Sequence, residues 1–147
     1  MEKIIRDVIE KNRNTKLLDT DTFDFRCTCC GACCTNREDI VMSGYDVMRI
    51  QNHLGIDFTE LLEKYCELYV GRPSGIPLLR IKPKGAKKIC PFLFRSKCRI
   101  HEVKPTVCAL FPVGRATAFD RESGKPEVMY FVQQTNCGAK DVCCPAN

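Results

Sequence analysis

The sequence has no long run of apolar residues and no apolar segment near Met1. A membrane-spanning helix needs about 20 consecutive apolar residues, so this pattern excludes one. The stretch Met1–Lys16 is charged throughout, which excludes the apolar segment of roughly 7–15 residues found in a secretory signal. We therefore expect a cytoplasmic protein, in a compartment that keeps thiols reduced.

The sequence also lacks two patterns that are typical of enzymes. It has no glycine-rich loop after a predicted strand, which would hold the phosphates of a nucleotide or a nucleotide-like methyl donor. It has no obvious arrangement of His, Cys and Asp for nucleophilic catalysis. These absences favour a binding protein over an enzyme.

Cysteine is abundant instead, with 12 among 147 residues. Such a content is typical of a disulfide scaffold or a metal protein. Because we expect a reducing compartment, we favour metal ligation. The length suits one domain, residues 1–147, with a cysteine-cluster core at 25–137 and a flexible tail at 138–147.

The formal charge of +5 does not indicate nucleic-acid binding. Eight thiolate ligands and two dipositive metal centres would reduce it to about +1, because metal-bound cysteines are deprotonated. Apart from a short lysine run at residues 82–88, the basic residues are spread along the chain. We expect a metal ion or cluster and a protein as partners, and neither nucleic acid nor membrane.

Periodicity and capping signals predict short helices and strands in mixed order. Ser43 and Asp46 have the N-cap and N3 spacing of a helix start, and Gly55 can end that helix. The predicted helices cover residues 2–12, 44–54, 58–70 and 105–111. The predicted strands cover 21–26, 76–81, 113–119 and 128–133, the last two forming a β-hairpin. We therefore predict a small α+β domain with a loop-rich cysteine–metal core.

Four cysteines lie close together in the first half of the chain. Cys27, Cys30 and Cys33 follow each other at every third residue, and Cys34 is adjacent. Two-residue gaps let a curled loop direct successive sulfurs to one centre, and Gly31 gives this loop backbone freedom. Zinc knuckles and bacterial ferredoxins both use such gaps. The spacing predicts a metal site without identifying the metal.

Adjacent side chains tend to point in different directions, so Cys33 and Cys34 should rarely bind one tetrahedral ion. We therefore expect two centres or one polynuclear cluster, with Cys27, Cys30 and Cys33 on one centre and Cys34 on the other. The remaining ligands are predicted to be Cys90, Cys98, Cys108 and, as the eighth, Cys137.

The remaining candidates are weaker. Cys29 is outside the three-residue spacing and is expected to be a spare thiol. Cys66 lies on the apolar face of the predicted helix 58–70 and is expected to be a core residue. His101 could replace a thiolate ligand. Cys143 and Cys144, in the predicted tail, are expected to be free thiols, with a redox pair or exchangeable ligands as alternatives.

The segments FRCTCCGACC and CPFLFRSKCRIHEVKPTVCALFP resemble the CxxCxxCC family of zinc- or iron-chelating domains. This family includes the YkgJ-type cysteine-cluster proteins and the flagellin lysine N-methylases. The resemblance spans about Phe25–Pro112, with Cys137 as an outlying member. It implies seven metal ligands: Cys27, Cys30, Cys33, Cys34, Cys90, Cys98 and Cys108. Lys104 stands where the family usually has Arg.

Two functions follow as hypotheses. The first is a metal-binding module that holds iron–sulfur or zinc for structure, electron transfer or metal handling. The C-x2-C-x2-C run with remote partners favours a 4Fe-4S cluster, and zinc is the close alternative. The second, implied only by the flagellin-methylase relatives, is a protein-lysine N-methyltransferase.

Overall fold

The computed structural model describes residues 7, 10, 15–18, 20–22, 25, 27, 30–71, 75–119 and 124–133. The chain divides into two units, and each is described by itself below. One unit is Thr28–Leu110; the other combines Met1–Cys27 with Phe111–Asn147. Within the described ranges, the helices are too short or too polar to cross a membrane.

Helix α1, Gly44–Leu54, has the predicted bounds. The Asp46 backbone N–H donates to Ser43 Oγ over 3.2 Å, and the Ser43 backbone N–H donates to the Asp46 carboxylate over 2.9 Å. These reciprocal bonds form a capping box, in which Asp acts as Glu or Gln usually does. Gly55 ends the helix with φ of 66°, a left-handed conformation that glycine adopts without strain.

Helix α2, Phe58–Tyr65, is shorter than predicted. The Asp57 side chain caps it by accepting from the Glu60 N–H over 2.8 Å. The helix ends at Tyr65, because the chain continues as strand β2, Cys66–Val70, which pairs antiparallel with β3, Pro77–Ile81. The helix prediction through residue 70 is therefore wrong at its end, since hydrogen bonds to a later strand replace those of the helix.

The other edge of β3 is also paired. The Met42 N–H donates to the Leu79 carbonyl over 2.9 Å, and the Ile81 N–H donates to the Ile40 carbonyl over 3.0 Å. Residues 40–42 therefore extend this small sheet on one side. The order of the three segments is 40–42, β3 and β2.

The hydrophobic core of this unit lies between the sheet, α1 and α2. The Tyr65 ring stacks on Phe92 with 4.7 Å between centroids. Cys66 is 3% exposed, which confirms it as a core residue, although it lies in a strand. The buried core residues are Ile40, Met42, Ile50, Leu61, Cys66, Ile81, Phe92 and Ile100.

The segment after residue 90 consists of short elements. Strands β4, Leu93–Phe94, and β5, Lys97–Cys98, form a hairpin. Its two central residues, Arg95 and Ser96, both have positive φ, as in a type I′ turn. A 3₁₀ turn at His101–Val103 and helix α3, Thr106–Leu110, follow. Helix α3 confirms the helix predicted after Pro105.

The second unit contains a three-stranded antiparallel sheet. Its order is β1, Lys16–Leu17, then β7, Pro126–Val132, then β6, Val113–Phe119. Strands β6 and β7 confirm the predicted hairpin. The helix predicted at residues 2–12 lies mostly outside the described residues. The described residues of the predicted strand 21–26, namely Asp21, Thr22 and Phe25, are not in a strand.

These elements confirm the predicted α+β class, with short helices and a β-hairpin. The prediction of one domain with a core at 25–137 and a tail at 138–147 stays a prediction.

Asp46 connects two helix starts in the larger unit. It is 2% exposed, and its carboxylate accepts hydrogen bonds from the backbone and side chain of both Ser43 and Thr106, at 2.8–2.9 Å. Burial alone would raise the pKa of Asp46, but these hydrogen bonds exceed that effect and lower it below its usual value. The ionised carboxylate therefore fixes α1 to α3.

The Asp46→Asn substitution should lower the free energy of unfolding by about 2 kcal/mol at pH 7, because it removes charge-assisted hydrogen bonds in a buried position. The folded-state pKa lies below the unfolded value, so this contribution is present above about pH 5 and is lost as the pH falls through the folded pKa. Urea unfolding of both proteins between pH 3 and 8 measures this difference.

Asp57→Asn is the matched control. Asn caps a helix about as well as Asp does, so its cost should stay below about 0.5 kcal/mol. Equal costs for the two substitutions, or a cost of Asp46→Asn that does not change with pH, would contradict the assigned role of Asp46.

Candidate metal centre

The cysteine loop turns sharply at Gly31. This residue has φ of 74°, and a Cβ there would lie 3.4 Å from Leu93 Cδ1, so a side chain would be both strained and crowded. A 3₁₀ turn, Ala32–Cys34, follows directly, with the Cys34 N–H donating to the Gly31 carbonyl over 3.0 Å. The backbone freedom predicted for Gly31 is confirmed.

The two adjacent cysteines of this turn have their sulfurs in contact. Cys33 Sγ and Cys34 Sγ are 3.8 Å apart and form a thiol–thiol hydrogen bond. The expectation that these neighbouring side chains point apart is therefore wrong. Turning of both side chains to the same side overrides the backbone divergence, so the pair can face one centre.

Cys90 joins the second cysteine segment to this turn. Its backbone N–H donates to the Cys34 carbonyl over 2.8 Å, and its thiol interacts with the Cys34 thiol. The nearby backbone N–H groups of Phe92 and Leu93 help to lower the pKa of the Cys90 thiol, and the Leu93 N–H makes its hydrogen bond to the Cys90 carbonyl over 3.0 Å. N–H groups near a sulfur favour the thiolate, the form that binds metal.

Cys98 and Cys108 interact electrostatically with the other cysteines of the site. Each interacts with the charges of Cys33 and Cys90, and they interact with each other. The nearby Ile100 N–H partly offsets the effect of burial, which raises the pKa of the Cys98 thiol. Strand β5 carries Cys98 and helix α3 carries Cys108, so the hairpin and the short helix bring both thiols near the loop.

Five of the eight predicted ligands lie half-buried in the larger unit: Cys33, Cys34, Cys90, Cys98 and Cys108. Thiol–thiol interactions connect the first three of them. Cys27 and Cys30 are exposed, and Cys27 belongs to the other unit. The eighth predicted ligand, Cys137, lies outside the described residues, as do Cys29, Cys143 and Cys144.

The thiols of the site differ in acidity. Interaction with Cys34 lowers the pKa of Cys33 to about 6 and that of Cys90 to about 7, in each case against the effect of burial. The same contacts raise the pKa of Cys34, which keeps its proton. Burial raises the pKa of Cys108 to about 12 and also raises that of Cys98. The metal-free site is thus ready to carry thiolates at Cys33 and Cys90.

Two cations lie near these sulfurs. The Arg37 charge acts on Cys33 and Cys108, and the Lys104 charge acts on Cys33 and Cys98. Asp39 holds the Arg37 guanidinium with two hydrogen bonds, of 2.6 and 2.9 Å. Both cations favour negative sulfur, as a thiolate site requires. Arg37 was not predicted as part of the site, although its position three residues after Cys34 could have indicated it.

The other candidates have different surroundings. Cys66 is buried in the core, and burial raises its pKa to about 12, which suits a structural thiol. His101 is exposed in the 3₁₀ turn, and His53 is exposed near the end of α1.

The donor chemistry of the site fits a thiophilic metal. Five half-buried thiols, backbone N–H groups near two of them and two nearby cations are features of a thiolate metal site. Among the described residues, no three side chains of His, Cys, Asp or Glu surround one point closely enough to hold an ion. Binding would therefore require the thiol side chains to move closer together.

Comparison with known proteins yields a family and a relative. A family model named CxxCxxCC, described as "Putative zinc- or iron-chelating domain", matches residues 26–145. An uncharacterized protein of Methanocaldococcus jannaschii is 30% identical over 115 residues, which are 76% of this chain. The match covers 58% of the length of that relative. No solved structure matches the chain.

In the metal-free protein, Cys34→Ala should raise the pKa of Cys33 from about 6 towards the ordinary value of a thiol, because it removes the S–H donor that stabilises the Cys33 thiolate. The rate of Cys33 alkylation by iodoacetamide at pH 7 should then fall roughly tenfold. Mass spectrometry of the modified peptide measures this rate across pH.

Cys98→Ala is the control, since Cys98 interacts with Cys33 through charge and not through a hydrogen bond. It should change the Cys33 rate far less. An unchanged rate in Cys34→Ala would show that the thiol–thiol contact does not set the acidity of Cys33.

Proposed function

Because the chain belongs to the CxxCxxCC family, we propose that it is a metal-binding protein whose cysteine thiolates hold zinc or iron. The observation that carries this proposal is the contact of Cys33, Cys34 and Cys90, which joins sulfurs from two distant segments. The proposed ligands within the larger unit are Cys33, Cys34, Cys90, Cys98 and Cys108. Cys27, Cys30 and Cys137 stay predicted ligands.

The separation of the Cys33 and Cys34 sulfurs supports a mononuclear ion. Two sulfurs bound to one tetrahedral ion, each at a metal–sulfur distance of about 2.3 Å, are about 3.8 Å apart. The observed separation is 3.8 Å. In a 4Fe-4S cubane each iron takes one cysteine, so the sulfurs diverge from the cluster and lie farther apart. We therefore propose one ion, zinc or iron, bound by both adjacent cysteines.

An iron–sulfur cluster is the second candidate. The C-x2-C-x2-C run of Cys27, Cys30 and Cys33 favours it, since ferredoxins use this spacing with a remote fourth ligand. In that case Cys33 and Cys34 would bind different iron atoms and their sulfurs would have to separate. The methyltransferase hypothesis stays a prediction.

The metal would have a structural effect in either case. It would connect the loop at Cys33 and Cys34 with the segment that carries Cys90, Cys98 and Cys108. When bound, it supplies strong bonds to thiolate, and a structural zinc site contributes about 10–16 kcal/mol at neutral pH. We propose a structural or metal-handling role for a mononuclear ion and electron transfer for a cluster.

The ratio of inorganic sulfide to metal distinguishes these candidates. Anaerobically purified protein with a mononuclear site should contain about one zinc or iron per chain and no acid-labile sulfide, because every sulfur ligand is a cysteine. A 4Fe-4S protein would contain iron and sulfide in equal amounts. Elemental analysis and sulfide release measure both. A preparation with neither zinc nor iron, and no affinity for either, would overturn the proposal.

Serine substitutions test the ligands one at a time. Replacing Cys33, Cys34 or Cys90 should weaken zinc binding by on the order of 100-fold, since each removes about a quarter of the binding free energy. Competition with a chromogenic chelator measures the affinity. A mononuclear ion takes four ligands, so one of Cys98→Ser and Cys108→Ser should cost much less than the other.

Cys66→Ser is the matched control, because Cys66 is buried in the core and not proposed as a ligand. It should lower stability and leave the metal content unchanged. Equal losses of affinity in all five ligand variants would instead favour a cluster or two centres.

A further inference from the structure

The strand β2 has one edge that is not paired within the described part of the chain. Leu79 and Ile81 of β3 make their backbone hydrogen bonds to residues 40–42. Because backbone groups alternate along a strand, the N–H and C=O groups of Leu78 and Arg80 point to the other side, towards β2. Their partners in β2 are Glu67 and Tyr69, by the register of the two strands. The N–H and C=O groups of Leu68 and Val70 therefore point away from β3, to the open edge.

The same residues expose apolar side chains. The paired residues Cys66 and Ile81 lie in the core, on one face of the sheet. The next pairs on the same face are Leu68–Leu79 and Val70–Pro77, which lie progressively farther from the core. Leu68 is 60% exposed and Val70 63% exposed. An apolar face thus extends beyond the core, next to an open strand edge.

This edge lacks the features that usually prevent pairing. Natural edge strands carry lysine, proline or a bulge, or are covered. Strand β2, with the sequence CELYV, has none of these residues, and its register with β3 is continuous over five pairs. Its one charged residue, Glu67, is neutralised by Arg80 over 2.7 Å.

We propose that β2 pairs antiparallel with β2 of a second copy of this chain, about a two-fold axis at Leu68. Leu68 then exchanges both backbone hydrogen bonds with Leu68 of the second copy. The Val70 N–H donates to the Cys66 carbonyl of the second copy, and the reverse bond follows by symmetry. The Cys66 N–H is not needed, since it already donates to the Leu62 carbonyl.

The charges of the strand favour a second copy as the occupant. In this register Glu67 lies opposite Tyr69 of the second copy, so the two copies of Glu67 do not face each other. The Arg80 guanidinium pairs with Glu67 and lies 4.6 Å from the Tyr69 ring centroid, on the same face. Pairing therefore places no like charges directly opposite each other. The two Glu67 residues become diagonal neighbours on one face, where Arg80 of the same copy neutralises each over 2.7 Å, and the exposed Leu68 side chains of both copies lie side by side.

Sedimentation equilibrium of the metal-loaded protein tests this dimer. The wild type should form dimers, and Leu68→Lys should raise the dimer dissociation constant by on the order of 100-fold, because it places two ammonium groups at the axis. Met48→Lys is the matched control: Met48 is apolar and 49% exposed on α1, and its substitution should leave the dimer unchanged. Metal content and circular dichroism verify that each variant is folded.

Amide hydrogen exchange gives a second readout. Protection of the Leu68 and Val70 N–H groups should rise with protein concentration, whereas protection of the Glu67 and Tyr69 N–H groups should not. A monomer at all concentrations, a dimer that Leu68→Lys leaves intact, or protection of Leu68 and Val70 that does not change with concentration would overturn the proposal. None of these outcomes depends on which metal the protein binds.

Discussion

The structure of the larger unit depends on the close approach of two cysteine segments that are far apart in the chain. The Cys90 N–H to Cys34 carbonyl bond fixes this approach, and the Phe92 ring anchors the second segment in the core against Tyr65. Cys90, Cys98 of strand β5 and Cys108 of helix α3 all pack against one core, so their charges act on one another. The metal proposed here would reinforce an arrangement that the core and the backbone already favour.

The half-buried position of these sulfurs creates an electrostatic problem, because a thiolate loses hydration there. Three features offset this cost: backbone N–H groups near Cys90 and Cys98, the protonated Cys34 thiol beside Cys33 and Cys90, and the cations Arg37 and Lys104. These features all favour negative sulfur, which is the form that binds zinc or iron.

Much of the local structure could be predicted, because its causes lie within a few residues. The capping box at Ser43 and Asp46, the glycine that ends α1 and the hairpin of β6 and β7 depend on short-range spacing. The end of α2 could not be predicted, because the residues after Tyr65 pair with β3, a strand that begins twelve residues later. The contact of the Cys33 and Cys34 sulfurs was also missed, since side-chain torsions decide it.

The sequence by itself determined the chemistry of this protein: cysteine spacing, a glycine that permits the turn, and the order of short helices and strands. These follow from residue type and local backbone preference. Tertiary structure alone decided that Cys90 approaches Cys34, that Lys104 lies near the sulfurs, and that Leu68 and Val70 stand at an edge without a partner strand among the described residues. Such features depend on distances between segments that only packing of the core brings together.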